Sequence, residues 1–196
     1  KLFILLGGLL VEVLRYNGLH FLHSAAVKNN GISLLISGDG GSGKTTASLS
    51  LVNEGFKYVS DDSIFFKEES AEIIVYPLYR AFNLDRDLSN RFPNLIKERI
   101  RRIPEGVKLS VDISEIYPDS FIPFMRPNAV IFPKITYLQN SEVHPLSQVQ
   151  VYDKLLRQTV LAVDREIAKS QLLSLETLVK QVVGYELLSG KDIYEI

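Results

Sequence analysis

Apolar residues follow two patterns along the chain, short runs and helical spacing. The short runs predict strands at Ile32–Ser37, Lys57–Ser60, Ile64–Lys67, Glu72–Tyr76, Val107–Ile113 and Ala129–Tyr137, and a last short strand at Asp192–Ile196. The run at Ile32–Ser37 is apolar on both faces, as in a strand covered on both sides. We therefore expect this strand to lie inside a sheet.

Helical spacing predicts a helix at Leu2–Tyr16, ended by Asn17-Gly18, and another from Lys44 to about Glu54, closed by Gly55. Further helices are predicted at 94–102 and near 148–157, 159–168 and 171–183. Ser147 and Gln150 have the spacing of a capping box at the start of the 148–157 helix. Strands mixed with helices predict a single α/β domain over residues 1–196, with a helical C-terminal part.

The N-terminal apolar run, Leu2 to Val11, is too short to span a bilayer, and Glu12 and Arg15 interrupt the pattern that follows. We interpret it as part of an amphipathic helix rather than a signal peptide. Because the sequence begins with Lys1 instead of Met, we expect that further residues precede it in the natural protein.

Composition narrows the function classes. Of 196 residues, 46% are apolar and 23% are charged, which is typical of a soluble globular protein and excludes disorder as the main state. The net charge of −1 gives no global basic field for nucleic acid or an anionic membrane. The absence of cysteine excludes disulfides, a thiolate nucleophile and a cysteine-based zinc site, and fits a cytoplasmic location.

The segment Gly38–Thr45, GDGGSGKT, matches the phosphate-binding loop pattern G-x-x-x-x-G-K-[ST] at every fixed position. Its glycines let backbone N–H groups point at phosphates, and the following helix adds its positive N-terminus. Lys44 is expected to reach the β- and γ-phosphates, and Thr45 to offer its hydroxyl to Mg²⁺. The predicted ATP-binding residues are Gly38, Asp39, Gly40, Gly41, Ser42, Gly43, Lys44, Thr45 and Thr46.

Two adjacent carboxylates, Asp61 and Asp62, end the predicted strand that follows the loop helix. Because successive strand side chains point to opposite faces, the two have different roles: one is suited to Mg²⁺ and the other to a general base or electrostatic partner. The alternative is an ordinary polar turn. The chain lacks the base-reading motif Asn-Lys-x-Asp of GTPases and the Leu-Ser-Gly-Gly-Gln motif of transporter ATPases.

Together these residues resemble the catalytic domain of the HPr kinase/phosphorylase family, and more loosely phosphoenolpyruvate carboxykinases. His23 lies 15 residues before Gly38, while Gly55 and Asp61 follow Lys44 by 11 and 17 residues, as in that family. The resemblance implies a P-loop fold of that type, an oligomer, and transfer of the γ-phosphoryl group of ATP to a serine hydroxyl. It implies Asp61 as the favoured base, oriented by His23, and Asp62 as a metal or histidine partner, with the order of the two aspartates open.

The sequence departs from the family in two places. Members of the family have a substantial N-terminal domain before the catalytic one, whereas only about 20 residues precede His23 in this sequence. The family also has an Arg-Asn pair, whereas in Met125-Arg126-Pro127-Asn128 a proline follows the arginine. A reverse phosphorylase reaction and HPr as substrate are therefore not expected. Shorter relatives occur in bacterial clusters for peptide modification, including lasso peptides, so the implied acceptor is a serine near the end of a small precursor peptide.

Two arginines, Arg126 and Arg80, are candidates to stabilise charge on the transferring phosphoryl group. The basic run from Arg91 to Arg102 is either a lid or acceptor-docking face, or a solvated helix face. We expect His20 to be structural and His144 to lie in a loop.

The sequence predicts an Mg²⁺- and ATP-dependent serine kinase acting on a peptide or protein, without a nucleic-acid or membrane partner. The alternatives are a kinase for a small molecule such as free serine, and a P-loop module that senses nucleotide without catalysis. The identity of the acceptor and the preferred nucleotide base are not evident from these patterns.

Overall fold

The computed structural model describes residues 2–85, 88, 92, 107–136 and 138–194. Within this part the α-helices are α1 (Leu2–Tyr16), α2 (Lys44–Asn53), α3 (Gln148–Leu156) and α4 (Arg165–Gln181). The strands are β1 (His20–Asn29), β2 (Ile32–Ser37), β3 (Lys57–Ser60), β4 (Ser63–Glu69), β5 (Glu72–Pro77), β6 (Phe82–Leu84), β7 (Leu109–Val111), β8 (Ala129–Ile135), β9 (Glu142–Leu146) and β10 (Val183–Ser189). None of the described helices is long and apolar enough to cross a membrane.

One mixed sheet organises the molecule, with strand order β5-β4-β1-β2-β8-β10-β9 and with β3 also paired to β1. Strands β2, β8 and β10 are parallel, whereas β1 is antiparallel to β2 and β9 is antiparallel to β10. Strands β6 and β7 form a separate antiparallel pair. The α/β class predicted from the sequence is confirmed.

Helices cover both faces of the sheet, α2 on one and α3 with α4 on the other. Strand β1 alternates between the two apolar cores: Leu22 and Ala26 pack toward α3 and α4, and Ala25 and Val27 toward α2. Because side chains alternate with period two, a strand covered on both faces is apolar at odd and even positions alike. Burial on both faces fixes the position of β1 firmly.

Strand β1 also brings distant segments together at the end of β2. Its first half, His20 to His23, pairs with β4, and its second half pairs with β2 and β3. Ser24 lies opposite Ser37, the last residue of β2. The two residues between β3 and β4 are Asp61 and Asp62, so the aspartate pair lies beside β1, next to the loop that follows β2.

Several predicted elements are confirmed. Helix α1 and strands β2 and β3 have the predicted bounds, and α2 ends at Asn53, just before Gly55 with its positive φ of +86°. The capping box of Ser147 and Gln150 is present at the start of α3. Strands β4, β5 and β8 agree with their predictions at most positions, and β7 forms the centre of the predicted run at Val107–Ile113.

Other predictions for the C-terminal part were wrong. The two helices predicted at 159–168 and 171–183 are one helix, α4, which begins after Asp164, whose side chain accepts the N–H groups of Glu166 and Ile167. Residues from Lys191 to Tyr194 form a 3₁₀-helix instead of a strand. His144 lies in β9 instead of a loop. The predicted helix at 94–102 and the basic run from Arg91 to Arg102 lie outside the described residues.

Strands β1, β6, β9 and β10 were missed by the sequence patterns. Strand β1 includes His20, His23 and Ser24 and shows no apolar alternation. Strand β10 begins where the helical spacing of α4 continues, and its partners β8 and β9 lie far away in the sequence. Strand β1 forms a hairpin with β2, which follows it directly, and also pairs with the more distant β3 and β4.

Candidate active site

The loop between β2 and α2 is shaped by glycines in the left-handed region. Gly43 precedes α2 with a φ of +102° and no side chain caps the helix there. The first N–H groups of an α-helix have no partner within the helix, and they carry the positive end of its dipole. The N–H groups of Lys44, Thr45 and Thr46 are therefore available to an anion.

The side chain of Lys44 folds back onto the start of this loop. Its Nζ donates to the carbonyl oxygens of Gly38 at 2.7 Å and Asp39 at 3.1 Å. The side chain is buried, and burial lowers the pKa of Lys44, while the nearby carboxylates of Asp62, Asp61 and Asp39 oppose that shift. A buried ammonium held only by neutral carbonyls favours binding of a phosphate oxygen.

Asp61 is completely buried against α2. The Thr45 hydroxyl donates to its Oδ2 at 3.0 Å and the Ser48 hydroxyl donates to its Oδ1 at 2.7 Å. Burial raises the pKa of Asp61 to about 6, although these hydrogen bonds oppose the shift. Both oxygens are thus engaged from α2, and an acceptor hydroxyl has no open path to them.

Asp62 has the opposite environment. Its Oδ1 lies 3.0 Å from His23 Nε2, and the Ser63 hydroxyl donates to its Oδ2 at 3.0 Å. The side chain is 45% exposed. The hydrogen bond with His23 is the main cause that lowers the pKa of Asp62. Asp62 is therefore ionised at neutral pH and open to a ligand, whereas the resemblance favoured Asp61 as the base and left the order of the two aspartates open.

Two cavities border Asp62. One, of about 290 Å³, is lined by the phosphate loop, α2 residues Lys44 to Thr46, His23 and Lys108. The other, of about 410 Å³, is lined by Arg80, Asp112 and neighbouring polar residues. We call them the loop cavity and the side cavity. Lys108 also lines the loop cavity, and no sequence pattern singles it out.

Gln158 is a second residue of the site that no sequence pattern predicted. Its carbonyl accepts the N–H of His23 at 2.9 Å, and its Nε2 donates to Asp39 Oδ1 at 2.8 Å. Gln158, which follows the end of α3, therefore contacts both the phosphate loop and the strand that carries His23. No local signal marks Gln158, because its partners lie more than a hundred residues earlier.

The two predicted arginines lie in different places. Arg80 lines the side cavity together with Asp62, and its guanidinium carbon is 4.2 Å from the centre of the Phe121 ring. Arg126 lies just before β8 and forms an ion pair of 2.8 Å with Glu72. Since β8 is parallel to β2, the start of β8 lies beside the start of β2, whereas the phosphate loop follows the end of β2. Arg126 is therefore not brought to the site, contrary to expectation.

The remaining histidines are also outside the site. His20 is buried beside Phe66, with ring centres 5.5 Å apart, and neither ring nitrogen has a hydrogen-bond partner among the described residues. Burial, with a smaller contribution from Arg15, lowers the pKa of His20 to about 4. His144 pairs with Glu142 on the exposed strand β9. The structural role expected of His20 agrees with its burial.

The donor atoms at the loop fit Mg²⁺ only with help from a ligand. Among the described residues no group of three or more His, Asp or Glu side chains can hold a metal ion. The Thr45 hydroxyl gives its hydrogen to Asp61, so its oxygen lone pairs remain open to a cation. Magnesium commonly takes few protein oxygens and completes its shell with phosphates and water. Thr45, backed by Asp61, fits that pattern.

Comparison with known proteins yields little at the level of sequence. No family model matches the chain, and no curated protein does. Among solved structures, the chain is similar to one described as the HPr(Ser) kinase/phosphatase from Coxiella burnetii, with 18% identity and a TM-score of 0.45. The match covers 82% of this chain and 93% of that chain.

Proposed function

We propose that this protein is an ATP- and Mg²⁺-dependent kinase that transfers the γ-phosphoryl group to a serine hydroxyl of a peptide or protein. One observation carries the proposal: the exposed, ionised Asp62 and the buried Lys44 line the same cavity as the open N-terminus of α2. A phosphate cradle and a general base next to each other are the parts that phosphoryl transfer needs.

The phosphate loop binds the donor. The N–H groups at the start of α2 receive phosphate oxygens, and Lys44 exchanges the carbonyls of Gly38 and Asp39 for the β- and γ-phosphates. Thr45 would hold Mg²⁺ through its hydroxyl oxygen, and Asp61 fixes the direction of that hydroxyl. When bound, Mg²⁺ neutralises charge on the phosphate oxygens.

Asp62 acts on the acceptor. It takes the proton of the serine hydroxyl while the hydroxyl oxygen forms a bond to the γ-phosphorus, and the bond from that phosphorus to the β–γ bridging oxygen breaks to release ADP. His23 holds the carboxylate in position from β1. Lys108, at the rim of the loop cavity, is placed to balance the charge on the transferring group.

The test is transfer of label from γ-labelled ATP with Mg²⁺ to a panel of serine-bearing peptides, an HPr-like protein and free serine. We compare wild type with Asp62→Asn, Lys44→Ala and a matched control, Asp119→Asn, an exposed aspartate outside both cavities. Asp62→Asn should lower kcat about 10²- to 10⁴-fold with ATP binding intact. Asp119→Asn should match wild type.

Full activity of Asp62→Asn would contradict the assignment of the base. Binding of ATP by wild type without transfer to any acceptor would favour a module that senses nucleotide.

A further inference from the structure

The side cavity lies next to the proposed base and has a charge pattern of its own. It is lined by Ser60, Asp62, Tyr79, Arg80, Ala81, Asn83, Ser110 and Asp112. Because Asp62 borders both cavities, a hydroxyl that enters through the side cavity reaches the base from a cavity that no residue of the phosphate loop lines. The in-line geometry of phosphoryl transfer needs donor and acceptor on opposite sides of the reacting phosphorus.

Arg80 provides the positive charge in the lining of the side cavity. Its side chain is exposed, it stacks on Phe121, and it forms no ion pair within the described part of the chain. A guanidinium fixed on an aromatic face keeps its fork of N–H donors free for a planar anion. Arginine binds carboxylates in this bidentate way.

Asp112 limits what kind of anion fits. Its Oδ1 accepts hydrogen bonds from the hydroxyl of Tyr58 at 3.2 Å and from the Ser114 N–H at 3.0 Å and hydroxyl at 2.6 Å. The hydrogen bond from the Ser114 side chain is the main cause that lowers the pKa of Asp112, and the other two bonds act in the same direction. Asp112 is therefore ionised at neutral pH. The positive charge of Arg80 also lowers the pKa of Asp112, so the side cavity combines one cation with two carboxylates. These carboxylates repel a polyanion more strongly than a ligand with a single carboxylate, which Arg80 can pair.

We propose that the side cavity binds the acceptor and that this acceptor carries one carboxylate close to its serine hydroxyl, held by Arg80. The inference rests on the proposed kinase function and names the substrate class for the same site. A volume of about 410 Å³ lies at the small end of ligand cavities, about 300–1,000 Å³, so the cavity admits the immediate surroundings of one hydroxyl. The carboxylate belongs to a free amino acid, a chain end or an adjacent acidic side chain.

The first experiment measures transfer with three matched pairs, in each of which a carboxylate is replaced by its amide. The pairs are N-acetylserine and N-acetylserinamide, a peptide ending in serine as acid or amide, and a peptide with internal Ser-Asp or Ser-Asn. In at least one pair the carboxylate should have a kcat/KM about tenfold higher or more. Arg80→Gln should reduce that preference to within about twofold, and the surface control Arg165→Gln should keep it.

The second experiment measures binding, so that failure of the inference is distinguishable from failure of the kinase proposal. The same pairs are titrated calorimetrically into wild type, Arg80→Gln and Lys44→Ala with Mg²⁺ and ADP present. Carboxylate binding that needs Arg80, together with no transfer to any acceptor, would refute the kinase proposal and keep the binding site. Equal binding of acid and amide in every pair, or an acid preference that survives in Arg80→Gln, would overturn the inference.

Discussion

Two neighbouring aspartates in this chain have opposite chemistry because one backbone step turns them to different surroundings. Asp61 faces α2, is fully buried and has a raised pKa, whereas Asp62 faces His23 and the cavities and has a lowered pKa. Adjacent carboxylates with pKa values moved apart are a common sign of divided roles at an active site. In our account Asp61 positions Thr45 and Asp62 acts on the acceptor.

The buried carboxylate of Asp61 has a measurable effect on stability. Its folded pKa of about 6 exceeds the ordinary 3.8, so the folded state binds the proton more tightly and stability falls as pH rises from about 4 to 6. Asp61→Asn removes this loss. Relative to wild type, its free energy of unfolding should rise by about 2 kcal/mol between pH 4 and pH 7 without Mg²⁺, measured by urea unfolding. A pH-independent difference would contradict the burial of a charged Asp61.

The buried His20 should make the stability depend on pH with the opposite sign. Its folded pKa of about 4 is below the ordinary 6.5, because the ring is buried and faces Arg15, itself paired with Glu12. The folded state therefore resists protonation, and stability falls as pH drops below 6.5. His20→Leu should remove about 2 kcal/mol of the loss between pH 7 and pH 5. His144→Gln, at an exposed position, is the control and should leave the loss unchanged.

At the level of elements, the site depends on how β1 and the segment after α3 hold the phosphate loop. Gln158 bonds to both His23 and Asp39. Its amide donates to Asp39 of the phosphate loop and so holds that loop beside the segment after α3. Gln158→Ala should raise the Kd for ATP about three- to tenfold, a loss typical of one exposed hydrogen bond.

Gln158→Glu tests the same contact by placing a negative charge beside Asp39. The carboxylate would face Asp39 and should weaken ATP binding more than alanine does, because two like charges are brought together. An unchanged Kd in both variants would show that the contact does not position the loop.

Close packing of β10 on α3 gives a further prediction. A Cβ added at Gly184 would lie 2.1 Å from a methyl carbon of Val151, a distance that forces backbone or side chain to move. Gly184→Ala should destabilise the protein by about 1–3 kcal/mol, measured by thermal or urea unfolding. If the packing is as described, Val151→Ala in the same chain should recover part of the loss, and a strictly additive double variant would contradict it.

The sequence could predict those parts of the site that local patterns encode. The phosphate loop and α2 follow from glycine spacing and a helix start, and their bounds were confirmed. His23 and the aspartate pair were found by spacing, and the register of β1 with β2, β3 and β4 brings them together. That β1 is a strand could not be read from its pattern, because His20, His23 and Ser24 interrupt both a continuous apolar run and a regular alternation.

Pairing between distant strands decided the rest. Arg126 was a candidate like Arg80 in the sequence, but the parallel register of β8 with β2 places it at the end of the strands away from the phosphate loop, beside Glu72. The different surroundings of Asp61 and Asp62 depend on which face of the chain turns toward α2. Gln158 and the side cavity arise from contacts between segments far apart, for which no local pattern exists.

For the molecule as a whole, helices cover both faces of the sheet and leave the carboxyl end of β2 open. The loop after β2, the first half of β1 and the aspartate pair meet at this end. Both cavities that border Asp62 lie there. Ligands of α/β sheets commonly bind at the carboxyl ends of the parallel strands. Under the proposed function, the nucleotide and the acceptor would approach Asp62 from these two cavities.

The most direct test of the central claim is calorimetric titration of ATP with Mg²⁺ into wild type and Lys44→Ala. We predict saturable binding of one ATP by wild type, weakened at least about tenfold by Lys44→Ala, because a buried ammonium at the phosphates is lost. Lys57→Ala, an exposed lysine of β3, should bind as wild type does. Absence of ATP binding by wild type, or equal affinity in Lys44→Ala, would contradict the assignment of this loop as the nucleotide site.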